Sequence, residues 1–236
     1  MKVCLVVPCF NEEKRLNQIQ FLSLVNQRPE IDILFVNDGS RDRTLEVLKE
    51  LNLSQSQLKY LNLEKNMGKA SAVSKGMQHC ASLNYDWIGF WDADLATPLF
   101  ELDRFLEVLN KDHKFKVVIG SRVKRLGTHI KRNLMRHYLG RVFATIAGLM
   151  LKIPVYDTQC GAKVFHKSIL TIFNEPFVSK WFFDVELLFR IKNLNREKEV
   201  FELPLVFWED VKGSQVKLID FFKVPIELLK IYRHYK

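Results

Sequence analysis

Between Val3 and Ile119 short apolar runs alternate with stretches of helical spacing, and this alternation admits few folds. The apolar runs are Val3–Val7, Ile31–Val36, Leu58–Leu63, Tyr85–Trp91 and Lys116–Ile119. Helical spacing covers Glu12–Val25, Thr44–Leu51, Lys69–Cys80 and Leu99–Leu109. Strands joined through helices run parallel, because a tight hairpin cannot connect parallel neighbours. Runs without polar alternation are buried on both faces. The expected fold class is α/β, with a largely parallel, Rossmann-like central sheet and helices on both faces.

The second half is less regular. Arg132–Leu151 and Phe183–Leu194 read as helices, and Cys160–Phe165 and Val200–Phe207 as strands. Val216–Tyr232 reads as an amphipathic C-terminal helix. Leu218, Ile219, Phe221, Phe222, Ile226, Leu228, Leu229 and Ile231 form a broad apolar face against a narrow stripe of Lys217, Asp220, Lys223, Glu227 and Lys230. Such a helix packs on its domain or lies in a membrane interface. No repeat or low-complexity linker interrupts the 236 residues. They are read as a single domain, 1–236, with a ligand-binding half (1–125) and an acceptor half (126–236).

In parallel sheets ligands bind beyond the carboxyl ends of the strands. The unusual residues of this chain gather there. Pro8-Cys-Phe-Asn-Glu12 follows the first strand and Asn37-Asp38-Gly39-Ser40 the second. Asn66-Met-Gly68-Lys69 follows the third, Asp92-Ala93-Asp94 the fourth and Gly120-Ser121-Arg122 the fifth. The Asp92/Asp94 pair stands where a strand stops. Both carboxylates reach one cation only if the backbone leaves strand geometry at that point. Mg²⁺ typically takes one or two carboxylates plus substrate phosphates, so the expectation is a Mg²⁺ or Mn²⁺ site for a phosphorylated substrate.

The net charge of +9 is concentrated. From His113 to Tyr156 there is no Asp or Glu, but ten Lys and Arg, leaving 26 basic against 27 acidic residues elsewhere. Such a block attracts phosphate, nucleic acid or anionic lipid. No helix-turn-helix, zinc or RNA-binding signature points to nucleic acid. The four cysteines (Cys4, Cys9, Cys80, Cys160) lack zinc spacing and read as reduced core thiols of a cytosolic protein. The chain enters its first strand without a signal peptide. Its longest apolar stretch, Val142–Leu151, is about half of the roughly 20 residues that a bilayer span needs.

Together these segments resemble a family 2 glycosyltransferase of the GT-A fold. More narrowly, they resemble the polyprenyl-phosphate group, dolichyl-phosphate β-glucosyltransferase-like and mannosyltransferase-like proteins. The likeness runs from about Lys2 to Lys217. Val6-Val-Pro-Cys-Phe-Asn-Glu-Glu13, Val36-Asn-Asp-Gly-Ser-Arg-Asp42 and Asn66-Met-Gly-Lys69 are general to the wider family. Asp157-Thr-Gln-Cys-Gly-Ala-Lys-Val-Phe165 and Trp181-Phe-Phe-Asp-Val-Glu-Leu-Leu188 are similar to the lipid-phosphate branch, and the second leans toward glucosyl members.

The resemblance implies roles. Pro8, Asn11 and Glu12 line a nucleoside pocket, and Asp38 accepts from the base. Gly68 lets backbone approach the nucleotide, with Lys69 beside it. Asp92 and Asp94, flanking Ala93, hold the metal on the pyrophosphate. Arg122 neutralises the leaving diphosphate. Two positions depart from the family: Ala96 stands where mannosyl members often carry Gln, and Gln215 stands where Lys is common.

A phosphate-monoester acceptor is already ionised near neutral pH, so it needs positive charge rather than a base. Arg132 and Arg136, in the acid-free block and one helical turn apart, are the acceptor-phosphate candidates. A hydroxyl acceptor needs a base, for which Asp184 or Asp157 is nearest. Asp94, Arg122 and Asp184 are thus the catalytic candidates.

The expected activity is inverting transfer of a hexose to a polyprenyl phosphate, with UDP-glucose favoured over GDP-mannose. It would occur peripherally, at the cytoplasmic face of a membrane, with or without a membrane-spanning partner protein. The alternative is a glycosyltransferase acting on a hydroxyl of a glycan or glycolipid. A phosphatase built on paired aspartates would carry them after its first strand, and a non-enzymatic basic lipid-binding module leaves the Asp pair without a role.

Overall fold

A computed structural model describes residues 1–132, 134–179, 182–211 and 224–235. In chain order the elements are β1 (Val3–Cys9), α1 (Gln18–Gln27), β2 (Ile31–Asp38), α2 (Thr44–Ser54), β3 (Leu58–Leu63) and α3 (Lys69–Ala81). Then come β4 (Trp87–Trp91), α4 (Glu101–Lys111), β5 (Val117–Ser121), β6 (His129–Lys131), α5 (Leu134–Leu151) and β7 (Ala162–His166). The chain closes with α6 (Phe183–Asn193), β8 (Val200–Pro204), β9 (Phe207–Glu209) and α7 (Val224–Tyr235), and a 3₁₀ segment, Lys167–Phe173, follows β7.

These elements form two compact units, Met1–Leu95 with Gly161–Pro176, and Ala96–Cys160 with Phe177–Lys236. The first unit thus includes β7, and the second includes α4 and β5.

In the first unit the strands lie in the order β3-β2-β1-β4-β7. β1 is parallel to both β2 and β4, and β2 to β3, as the strand–helix alternation requires. β7 runs antiparallel to β4, with Trp91 opposite Ala162. Val3, Leu5, Val6, Val7, Ile33, Phe35, Val36, Ile88 and Phe90 are wholly buried, which is why these strands carry no polar alternation. In the second unit β5 pairs in parallel with β8, and β6 with β9.

The expected elements have shifted ends among the described residues, and two of the shifts have visible causes. The helix expected from Glu12 begins at Gln18. The Glu12 carbonyl accepts from the N–H groups of Arg15 and Leu16 in a separate turn, and the Asn17 side chain caps the helix by accepting from Gln20. The helix expected from Arg132 begins at Leu134, so Arg132 precedes it. The strand expected over Val200–Phe207 breaks after Pro204, because the buried Glu101 carboxylate takes the N–H groups of Val206 (2.8 Å) and Phe207 (2.7 Å). Of the expected helix Val216–Tyr232, residues 216–223 lie outside the described residues, and the remainder is in α7. Leu228 and Ile231 are buried there, while Ile226 and Leu229 are exposed.

All four cysteines are free and buried. No helix among the described residues is long and apolar enough to cross a membrane.

Candidate active site

In the first unit the loops after β1, β2 and β3 are tied together by side chains bonding to backbone. Asn11, in the left-handed region (φ 56°), donates its N–H to Ser40 Oγ (3.0 Å) and accepts from the Arg41 N–H (2.9 Å). The Glu12 N–H donates to Thr44 Oγ1 (2.8 Å). Asp38, at the end of β2 and almost wholly buried, accepts from the N–H groups of Met67 and Gly68, both at 2.8 Å. Its two oxygens therefore hold the loop before α3. This is a positioning job that the resemblance, which gave Asp38 to the base, did not include. Gly39 is required there: its φ is +62°, and a Cβ would stand 2.5 Å from the Asn66 nitrogen. Pro8, opposite Val36 in β1, completes this edge.

The loop before α3 places Lys69 at the first position of that helix. Lys69 Nζ lies 2.5 Å from Asp92 Oδ1. Gly68 has φ +90° and open space where a Cβ would be, so the approach on that side is clear of side chain. β4 ends at Trp91, and Leu95 adopts φ 52° immediately after the aspartates. The departure from strand geometry expected for a shared cation is thus present, with Ala93 buried between the two carboxylates.

Asp94 Oδ2 meets Arg15 at 3.6 Å, and Arg15 also meets Glu12 Oε2 at 3.5 Å. Burial pushes the Glu12 carboxyl up to about 7. Arg15 opposes this, and the charges of Asp94, Asp42 and Asp92 add to it. The cluster carries more negative charge than its own cations neutralise.

A divalent metal fits these residues. Each aspartate already faces a cationic side chain, and each is part exposed, 35% for Asp92 and 26% for Asp94. Gly161 leaves room for the first: a Cβ there would stand 1.9 Å from Asp92 Oδ2. Among the described residues no group of three His, Cys, Asp or Glu side chains converges as a complete cage. Two protein carboxylates with the other ligands drawn from substrate and water is the usual Mg²⁺ arrangement. Arg15 and Gly161 were given no role from sequence. Arg15 sits in what looked like the first turn of a helix, and Gly161 acts through a contact that only β4–β7 pairing creates.

In the second unit Arg122 and Asp157 form a bidentate pair. Arg122 Nε donates to Asp157 Oδ2 (2.6 Å), Nη2 to Oδ1 (2.8 Å), and the Arg122 N–H to Oδ2 (3.1 Å). Burial alone would raise the Asp157 carboxyl. Arg122's charge and hydrogen bonds, with Arg132 behind them, instead hold it well below the usual carboxylate range. Asp157 is therefore a poor proton acceptor, which corrects its place as a candidate base. The Arg122 guanidinium also lies 5.3 Å from the Trp208 ring centre, and Glu202 fixes the backbone by accepting from the N–H groups of Tyr156 and Asp157.

Arg132 has its guanidinium against Gly140. Burial, then the nearby Arg122 charge, lowers it to about 10, against the pull of Asp157, Asp210 and Cys160. It does not share a helical face with Arg136. Arg136 lies in α5, which starts two residues after Arg132, and its side chain is outside the described residues. Asp184 stands in the first turn of α6 and is buried. Trp181, Gln215 and Lys217 lie outside the described residues.

The mostly parallel sheet with flanking helices and polar, glycine-bearing loops at its carboxyl ends is of the GT-A type. The model of glycosyl transferase family 2 matches residues 4–173, and the chain belongs to that family. It is 34% identical to a dolichyl-phosphate beta-glucosyltransferase of Trichomonas vaginalis, over 98% of this chain and 71% of that protein. It is 31% identical to the dolichyl-phosphate beta-glucosyltransferase of Saccharomyces cerevisiae (98% and 74%), and 29% to that of Homo sapiens (94% and 71%). In fold it is similar to glucosyl-3-phosphoglycerate synthase from Mycobacterium tuberculosis, solved with Mn²⁺, UDP-glucose and phosphoglyceric acid. The TM-score is 0.72 at 16% identity, covering 98% of this chain and 80% of that one. The protein is a glycosyltransferase, a hexosyltransferase by the names of its relatives.

Proposed function

We propose that this protein transfers glucose from UDP-glucose to a polyprenyl phosphate, with inversion, at the cytosolic face of a membrane. The observation that carries the donor half is the Asp92/Asp94 pair, breaking from strand geometry opposite Gly161 and already matched by cationic side chains. The acceptor half rests on the likeness to dolichyl-phosphate beta-glucosyltransferases over nearly the whole chain.

Asp92 and Asp94 would hold Mg²⁺ or Mn²⁺, which supplies positive charge to the departing diphosphate. Lys69 and Arg15 offer further positive charge beside them. Asp38 and Gly39 keep the Asn66–Lys69 loop in place, so Lys69 and the part-exposed Gly68 would face the nucleotide without reorganising. Pro8, Asn11 and Glu12 edge the nucleoside. Arg132 holds the acceptor phosphate. Arg122, clamped by Asp157, keeps a fixed guanidinium for developing charge, since preorganised charge acts without reorganisation. An ionised phosphate needs no base, which suits a unit whose Asp157 is a poor proton acceptor. Were the acceptor a hydroxyl, Asp184 would be the remaining carboxylate for the task.

The test is incubation with Mg²⁺ or Mn²⁺, a polyprenyl phosphate and a panel of UDP- and GDP-sugars. Sugar entering the lipid phase is followed by mass spectrometry, beside an EDTA control. The expected result is metal-dependent transfer from UDP-glucose. Nucleotide-sugar binding without transfer to lipid phosphate would move the reading to a hydroxyl acceptor. Transfer unaffected by EDTA would remove the metal from Asp92 and Asp94.

A further inference from the structure

In the second unit, the segment between β5 and β6 presents an apolar side chain to solvent on a fixed turn. Leu126 is 103% exposed, and its neighbours Lys124, Arg125 and Gly127 are exposed too. The turn does not owe this exposure to looseness. Gly127 takes φ +80°. The Thr128 N–H and hydroxyl both donate to the Arg125 carbonyl (3.2 and 2.7 Å), and Thr128 Oγ1 accepts from the Arg125 N–H (3.1 Å). Both ends are anchored as well: Arg122 by Asp157, and His129 through its N–H to the Val206 carbonyl at 2.7 Å.

The base of the turn continues the same character. The His129 ring stacks on Phe207 with centres 4.4 Å apart, and Phe100 meets Phe207 edge-on at 6.0 Å. Phe100 is 57% exposed and Val206 38%. The charges around it are Lys124, Arg125 and Lys131, set against Glu209, which is shared between His129 and Lys131 at 3.4 Å each, and Asp210. The turn itself sits within the acid-free run from His113 to Tyr156.

We propose that the turn Arg122–Thr128 is an interfacial anchor. Leu126 enters the headgroup–acyl boundary of an anionic bilayer, while Lys124 and Arg125 meet lipid phosphates. A rigid turn loses little entropy on docking, and an apolar tip between cations matches an anionic interface in both respects. This rests on the lipid-phosphate acceptor reading, for it places the second unit against the surface from which such an acceptor is drawn. It is separate from any role of α7.

The test is flotation of the full chain with phosphatidylcholine vesicles, with and without phosphatidylserine. Leu126→Asp should weaken binding about tenfold, as loss of one buried leucine implies. Lys124→Ser and Arg125→Ser should each cost about fivefold on phosphatidylserine vesicles, and much less on neutral ones. Leu53→Asp, at a leucine 87% exposed on α2, should float as the wild type does. A Leu126→Trp variant should gain emission quenched by brominated lipid, relative to wild type. Leu126→Asp floating as well as wild type, or Trp at 126 escaping the quencher, would overturn the anchor; so would a wild type that does not float. Transfer to a short, water-soluble isoprenyl phosphate is assayed beside these. Its retention in Leu126→Asp is expected, and its loss in the wild type would fault the acceptor reading rather than the anchor.

Discussion

Asp92 and Asp157 are both carboxylates met by a cation, but their surroundings differ. Asp92 and Lys69 are about one-third exposed and meet at 2.5 Å. An exposed pair of this kind is worth about 0–1 kcal/mol, so Lys69 can yield its place to a metal at little cost. Asp157 and Arg122 are nearly buried, bidentate, and bonded through backbone as well. The same contrast runs through the two units. In the first, Asp92 and Asp94 stay part exposed at the end of β4, where they can exchange partners, while the buried Asp38 fixes a loop. The second sinks Glu101, Glu186 and Asp157 among arginines and backbone N–H groups, where they fix loops.

The largest test of that contrast is Asp157→Asn. Removing one partner of a buried pair leaves Arg122 uncompensated and should cost about 3–5 kcal/mol, read as a shift in the urea midpoint. Asp92→Asn in the first unit should cost less than about 1 kcal/mol. Equal losses would erase the distinction. The pH dependence has a definite sign. The Asp157 carboxyl sits below its unfolded value, so its contribution is complete above about pH 4, where the unfolded carboxyl is ionised, and is lost only on further acidification.

Next is Gly161→Ala. The added Cβ meets the free end of the Asp92 side chain rather than backbone, so the fold should hold. The carboxylate must turn away, and Mn²⁺-dependent UDP binding should fall about 10–100-fold by calorimetry, with thermal stability changed by less than about 1 kcal/mol. Unchanged metal dependence would mean that Asp92 is not a ligand.

Glu12→Gln probes the exchangeable cluster from the other side. In metal-free protein the Glu12 carboxyl is raised to about 7, so between pH 4.5 and 7 the folded form binds more protons than the unfolded. Stability therefore falls as pH rises through that window, by roughly 2–3 kcal/mol. The variant should lack this fall and exceed wild type above pH 7 in EDTA. Parallel pH profiles would show that neither burial nor the neighbouring aspartates raise the Glu12 carboxyl.

The first unit was the more legible in sequence for the same physical reason. Its central strands β1 and β4 are apolar runs, and its polar residues stand mainly in short clusters at strand ends, so Asp92, Asp94, Lys69 and Asp38 could be picked out one cluster at a time. Arg15 was hidden inside a run that imitates helical spacing, and Gly161 inside a motif whose purpose depends on β7 lying beside β4. In the second unit the determining contacts span 35 residues from Arg122 to Asp157, 45 from Asp157 to Glu202 and 105 from Glu101 to Val206. No local spacing encodes them. Arg132 and Arg136 were grouped by helical periodicity, which fails because the helix starts between them.

The smallest effect expected is at Tyr235, where the second unit's principle reaches α7. Tyr235 donates its hydroxyl to Glu186 Oε1 (2.6 Å) and accepts from Arg190 Nε (2.7 Å). Glu186 in turn accepts from the N–H groups of Val178 and Ser179, just before the segment that leads to Asp184. Burial, then Glu186, pushes the Tyr235 hydroxyl up to about 12, so it remains a donor at any physiological pH. Tyr235→Phe keeps the ring stacked on Phe189 and removes only the hydroxyl. Glu186 and Arg190 retain each other at 2.9 Å, so the loss should be about 1 kcal/mol rather than the cost of a broken ion pair. Glu186→Gln, which leaves the Arg190 charge buried and unmatched, should cost several times more. If the two substitutions cost the same, α7 rather than the Glu186–Arg190 pair holds the 177–179 loop, and the second unit's rigidity depends on its last helix.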